Sequence, residues 1–144
     1  MSKQAIEKAG AIISSRTVKN GKYNNETCVL TLIDENGYPY SSVITAGKSD
    51  GIKALWFGTS DESNKLKYIA KNNKASVCFP SDAYNISLTG EIEIVEATDE
   101  NKKNIMWYDG LNETNATKIL AFKTLKYSIF LIEGESVDFA SGDL

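Results

Sequence analysis

Strand-forming segments dominate this 144-residue chain, and the sequence predicts a mainly β protein, an antiparallel barrel of six to eight strands with peripheral helices. Residues 85–95 give the clearest signal: Asn85, Ser87, Thr89, Glu91 and Glu93 alternate with Ile86, Leu88, Gly90, Ile92 and Ile94, one polar face and one core face. The strand-like segments are joined mostly by short turns, whereas a parallel sheet needs a crossover helix between most strands. Only three segments carry helical spacing, and closing the sheet on itself removes exposed edges. The length fits one domain, residues 1–144, that buries roughly two thirds of its unfolded surface.

Ala5, Ile6, Ala9, Ile12 and Ile13 form one stripe behind a Ser2 cap, so residues 1–14 are expected as an amphipathic helix packed on the barrel. Residues 20–25 read as a loop. β-Branched residues over 27–33, turn chemistry at Asp34-Glu35-Asn36-Gly37 and β-type composition over 40–45 make a hairpin. Residues 48–51 are the next turn, 53–57 a strand, 63–72 a helix, and 75–79 a strand ended by Pro80. Gly90 falls on the apolar face of its strand, where the missing side chain permits close backbone approach or a bend. Thr98, followed by Asp99 and Glu100, caps a helix running to about residue 108. Residues 116–122 and 126–132 are expected as two closing strands, and 136–139 as a short last one.

A net charge of −3 and a pI of about 5.0 argue against nucleic-acid or anionic-membrane partners. No apolar run reaches the length of a bilayer span, and Glu7 interrupts the apolar pattern at the start of the chain, so a soluble, cytoplasmic protein is expected. With no histidine, histidine-based triads and histidine metal sites are absent, and two cysteines cannot complete a four-cysteine zinc site; no metal is expected. Cys28 and Cys78 lie in strands among apolar neighbours and read as small buried hydrophobes with reduced thiols, a disulfide remaining open. Glu91 and Glu93 share a strand face without a second acid at a defined distance, and read as solvated.

The chemistry concentrates at Trp56-Phe57-Gly58-Thr59-Ser60-Asp61-Glu62-Ser63-Asn64-Lys65. An apolar strand breaks into small hydroxyl residues and enters a helix, so hydroxyls, free helix-terminal N–H groups and the Lys65 ammonium can converge on a phosphate. The alternative is that Ser60 or Asp61 caps the helix and Lys65 is solvated. Neither a Walker loop nor a Rossmann fingerprint is present.

Three blocks carry a family resemblance: Gly37-Tyr38-Pro39-Tyr40-Ser41-Ser42-Val43-Ile44, then residues 56–79 centred on Asn72-Asn73-Lys74-Ala75-Ser76-Val77, then Asn85-Ile86-Ser87-Leu88-Thr89-Gly90. In this order and at these separations the chain resembles the FMN-binding split-barrel proteins of the pyridoxamine 5′-phosphate oxidase-like superfamily, its short, general-stress-protein-like members in particular. The resemblance implies a homodimer that holds FMN in clefts at the subunit interface. It implies that Thr59 and Ser60 bond the phosphate or ribityl chain and that Ser63 and Lys65, flanking Asn64, bind the phosphate. The backbone of Ser42, Val43 and Ile44 would lie along the isoalloxazine ring. Asn85 occupies the place where a glutamine commonly contacts the flavin, and Trp107 either stacks near it, lines the dimer groove or simply packs on the barrel.

The better-characterised oxidases carry an arginine where this chain has Ser42, a lysine at Gly47 and an arginine at Asn64. Weaker FMN retention is the expected consequence, with Lys48 a candidate to compensate. The carboxy-terminal oxidase segment, with its substrate-binding arginine and histidine, has no counterpart after Gly134, which disfavours pyridoxamine phosphate as substrate. What the resemblance implies is an FMN-dependent oxidoreductase acting on an unidentified small substrate. The alternative is a non-catalytic protein holding flavin, deazaflavin or haem on the same barrel.

Overall fold

The computed structural model describes residues 2–17, 26–103 and 117–144. Helix α1 (Ser2–Ser15) turns Ala5, Ala9 and Ile13 into the core and packs on strands at the far end of the chain, as its stripe predicts. The strands that follow are β1 (Cys28–Ile33), β2 (Pro39–Ile44), β3 (Lys48–Asp50), β4 (Ala54–Thr59), β5 (Lys74–Pro80), β6 (Tyr84–Glu96), β7 (Lys118–Glu133) and β8 (Ser136–Asp143). Helix α2 (Asn64–Lys71) joins β4 to β5, and α3 (Asp99–Lys103) follows β6. All pairings between the named strands are antiparallel, in the order β2-β1-β5-β6-β7-β4-β3 with β8 also on β7. This is the mainly β, antiparallel split barrel that the sequence predicts. Its ladder does not close, and β2 and β3 stand at its two ends.

Local chemistry sets the hairpin. Asp34 Oδ1 accepts from the Asn36 and Tyr38 N–H groups, both at 2.9 Å, and Gly37 takes the left-handed backbone (φ 86°) that closes the turn into β2. Thr98 Oγ1 accepts from the Asn101 N–H at 3.1 Å, the expected cap of α3. The continuation of that helix to residue 108 and the loop at 20–25 lie outside the described residues.

Residues 116–122 and 126–132, expected as separate strands, belong to the single strand β7. The reason is a bulge. Thr89 pairs with Lys126 but Gly90 with Thr124, which leaves Leu125 as the extra residue of β7. Leu120, Phe122 and Thr124 are buried before the bulge, Ile129 and Leu131 after it, so the apolar alternation changes phase and imitates a break. Thr124 is tolerated inside because its N–H donates to Lys53 O (2.9 Å) and its hydroxyl to Ile52 O (2.6 Å). Residues 48–50, expected in a turn, form β3 against β4, and the turn moves to residues 51–53 with Gly51 at φ 54°. β8 runs four residues beyond the expected strand, to Asp143.

A Cβ placed on Gly90 would stand 1.9 Å from the carbonyl oxygen of Lys123, which is backbone and cannot rotate away. The predicted close approach is thus real. Gly90→Ala is expected to lower stability by about 2–3 kcal/mol or to prevent folding, read from the urea midpoint.

Candidate functional site

β4 ends at Thr59, whose carbonyl accepts from the Thr117 N–H at 3.1 Å, and Ser60, Asp61 and Glu62 carry the chain into α2. The N-cap is Ser63: its backbone is extended (φ −68°, ψ 133°) and its Oγ accepts from the Lys65 N–H at 3.2 Å. Capping therefore falls to neither Ser60 nor Asp61. Asp61 instead accepts a hydrogen bond from Thr117 Oγ1 and lies 4.0 Å from Lys118 Nζ. The Ser63 carbonyl takes the Leu66 N–H and the Ser60 carbonyl the Ser63 N–H, each at 3.2 Å. Part of the amide set that the sequence offers to a phosphate is thus already engaged. A hydroxyl that accepts one bond keeps its own hydrogen to donate. Thr59, Ser60, Ser63 and Lys65 are half-buried and Asn64 is exposed, so hydroxyls, a helix N-terminus and an ammonium share one accessible corner.

β2 lies beside the same helix, since the Tyr40 and Tyr68 rings meet edge to face at 5.2 Å. Ser42 is two residues further along the same face of β2, and its Oγ is buried without a hydrogen-bond partner. Among the described strands β2 pairs only with β1, so its outer edge keeps backbone donors and acceptors for another partner. Register then separates the expected site residues. Ser42 pairs with Leu30 and Ile44 with Cys28, both core positions, whereas Val43 pairs with Val29 and is 70% exposed on the outer face. Asn85 is also on the outer face, beside core residue Ile86, with its Oδ1 accepting from Cys78 Sγ at 3.1 Å. Trp107 lies outside the described residues. Lys48, the candidate replacement cation, sits over the Trp56 ring at 5.0 Å.

Sequence reasoning missed Arg16, which no motif announces. Its guanidinium donates to Pro80 O (2.8 Å), to the Tyr84 hydroxyl (3.3 Å) and to Thr27 O, and stands over the Phe79 and Tyr84 rings at 5.6 and 5.9 Å. It ties the end of α1 to β1, β5 and β6. Burial pushes the Cys28 thiol up to about 12 against the opposing pull of Arg16, and burial raises Cys78 as well. Both thiols are free. Cys28 faces the core and Cys78 the outer surface of adjacent strands, an orientation that does not suit a disulfide within one chain. Among the described residues no group of three or more Cys, Asp and Glu is placed to hold a metal ion, and no helix is long and apolar enough to cross a membrane.

A family model described as pyridoxamine 5′-phosphate oxidase matches residues 16–127. The chain belongs to that family. A curated relative, the pyridoxine/pyridoxamine 5′-phosphate oxidase of Photorhabdus laumondii, is 37% identical over 62 residues, which is 42% of this chain and 28% of that protein. Among solved structures, a protein related to general stress protein 26 from Clostridium acetobutylicum superposes with a TM-score of 0.75 at 20% identity, covering 100% of this chain and 97% of that one. A heme binding protein from Mycobacterium smegmatis gives 0.67 at 18%, covering 95% of this chain and 57% of the other. A pyridoxamine 5′-phosphate oxidase-related, FMN binding protein from Nostoc punctiforme gives 0.61 at 12%, covering 99% and 94%. At such identities these likenesses establish the fold, and it is the one expected from the sequence.

Ser63→Ala removes the cap of α2 and is expected to cost about 1 kcal/mol in urea unfolding, whereas Ser60→Ala stays within about 0.5 kcal/mol of the wild type.

Proposed function

We propose that the protein binds FMN as a homodimer and uses it for oxidoreduction of a small substrate. The observation that carries this is the buried, unpaired Ser42 hydroxyl on an edge strand, beside the helix whose N-terminus gathers Ser60, Ser63 and Lys65. A hydroxyl buried without a partner costs free energy unless a ligand supplies one. Ser63 and Lys65 hold the phosphate, Thr59 and Ser60 bond the phosphate or ribityl chain, and the free edge of β2 from Ser42 to Ile44 meets the polar side of the ring. When bound, the flavin supplies hydride or electron transfer, so placement and electrostatics are what the chain contributes.

The division of residues between two faces supports a cleft completed by a second chain. Within one subunit Val43 and Asn85 point away from Ser42; on a partner's outer face they can face it. Around them that face carries Val29, Cys78, Phe130 and Phe139, the last 72% exposed and in edge-to-face contact with Phe130 at 5.0 Å. Apolar, charge-poor surface of this kind suits the core of a dimer interface. A second reading, a cofactor-binding protein without turnover, is favoured by the missing cations at Ser42, Gly47 and Asn64. Haem in that role would take Met, Cys or Tyr as axial ligand, since histidine is absent. Reduction of the bound flavin by NADH or NADPH in stopped flow separates enzyme from binder.

Lys65→Ala is expected to weaken FMN roughly 10- to 100-fold, the worth of one charge-assisted bond, in a flavin fluorescence titration. Equal affinity in that variant overturns the placement of the phosphate. Co-expressed Lys65→Ala and Asn85→Ala chains are expected to yield mixed dimers with one restored site, half the flavin of wild type at wild-type affinity. Mixed dimers that bind no better than either parent variant rule out a shared cleft.

A further inference from the structure

The turn that would receive the phosphate is acidic. Between Thr59 and the α2 N-cap stand Asp61 and Glu62, both exposed, against the single ammonium of Lys65. An anion approaching that corner meets like charge unless Asp61 is neutralised from elsewhere. Among the described residues, the one opposite charge the structure brings to Asp61 is the Lys118 ammonium of β7, which Asp61 shares with Glu96 of β6. Lys118, the first residue of β7, pairs with Thr59 across the ladder, is half-buried, and places its ammonium on Glu96 Oε1 with Asp61 Oδ1 at 4.0 Å. Its neighbour Thr117 donates its hydroxyl to the same Asp61 oxygen and its N–H to Thr59 O at 3.1 Å, while Thr117 O accepts from the Ala97 N–H at 3.0 Å. The Asp61 carboxylate is thereby drawn toward the start of β7. The hydrogen bond to Glu96 raises the Lys118 pKa above its ordinary value.

Resting on the FMN assignment above, we propose that Lys118 is a positioning residue of the cofactor site. It neutralises and turns aside Asp61 so that the corner formed by Ser60, Ser63 and Lys65 can accept a phosphate dianion. Glu96 fixes the ammonium, Thr117 fixes the carboxylate, and neither touches the ligand. The chain thus recovers by arrangement part of the positive potential that its missing arginines and lysine do not supply.

FMN titration of the full-length protein tests this with Lys118→Met, Lys118→Arg, Asp61→Asn and the Lys118→Met/Asp61→Asn double variant. Lys118→Met is expected to weaken FMN about tenfold, more at low ionic strength than at high, and Lys118→Arg to stay within about twofold of wild type. The double variant is expected to return to within about threefold of wild type, because Asn keeps the acceptor for Thr117 and loses the charge. A purely structural Lys118 predicts no such rescue, and a double variant as weak as Lys118→Met overturns the proposal. Should Lys118→Met fail to fold, Lys118→Gln and the Lys118→Gln/Asp61→Asn double variant decide on the same criterion: recovery in the double variant sustains the proposal, and its absence refutes it. Sensitivity at Lys65 with indifference at Lys118 removes only this inference. Indifference at both, or no FMN binding by the wild type, removes the cofactor assignment and this with it.

Discussion

The rest of the molecule depends on one backbone contact, the approach of Gly90 to the Lys123 carbonyl at the β6–β7 bulge. β7 exchanges its outer neighbour at that point. Before it, residues 118–123 pair with β4; after it, residues 126–133 pair with β8. Thr124 reaches back to the carbonyls of Ile52 and Lys53 just ahead of β4, and the Leu125 carbonyl accepts from the Leu144 N–H just after β8. A bulge raises local twist and bends the strand that carries it, so a long two-stranded ribbon can serve two separate flanks. Only a residue without Cβ allows the partner backbone so near, and that is why the glycine stands on an otherwise apolar face.

That bend has a consequence for the site. With β2 at one end of the ladder and β3–β4 at the other, the sheet leaves its two ends open, and β2 meets α2 through the Tyr40 and Tyr68 rings. An unpaired edge is ordinarily a liability. Here it carries a buried hydroxyl, that of Ser42, which lacks a partner.

The electrostatics of the corner are arranged rather than concentrated. Lys65 stands half-buried in the first turn of α2, and a second ammonium, Lys118, is held by Glu96 and Asp61. Arg16, the most heavily engaged cation described, is spent on carbonyls and aromatic rings far along the chain and serves architecture. Lys48 rests on Trp56. In the proposed cofactor site, hydroxyls, the Lys65 ammonium and the pairing of Asp61 with Thr117 and Lys118 stand in for fixed cations.

Much of this was legible in the sequence because it depends on near neighbours. The α1 stripe, the Asp34–Gly37 turn, the Thr98 cap, the alternation of β6, the meaning of Gly90 and the family blocks all follow from spacing within a few residues, where side-chain chemistry acts on adjacent backbone. The structure alone decided what distant segments do to one another. It merged two expected strands into β7, since a bulge shifts the phase of alternation in a way that one strand cannot reveal. It assigned the α2 cap to Ser63, set Ser42 and Asn85 on opposite faces of the sheet, and brought Thr117 and Lys118 against Asp61. Register, burial and charge pairing across the ladder are properties of contacts between residues far apart in the chain, and a linear pattern carries the residues but not their partners.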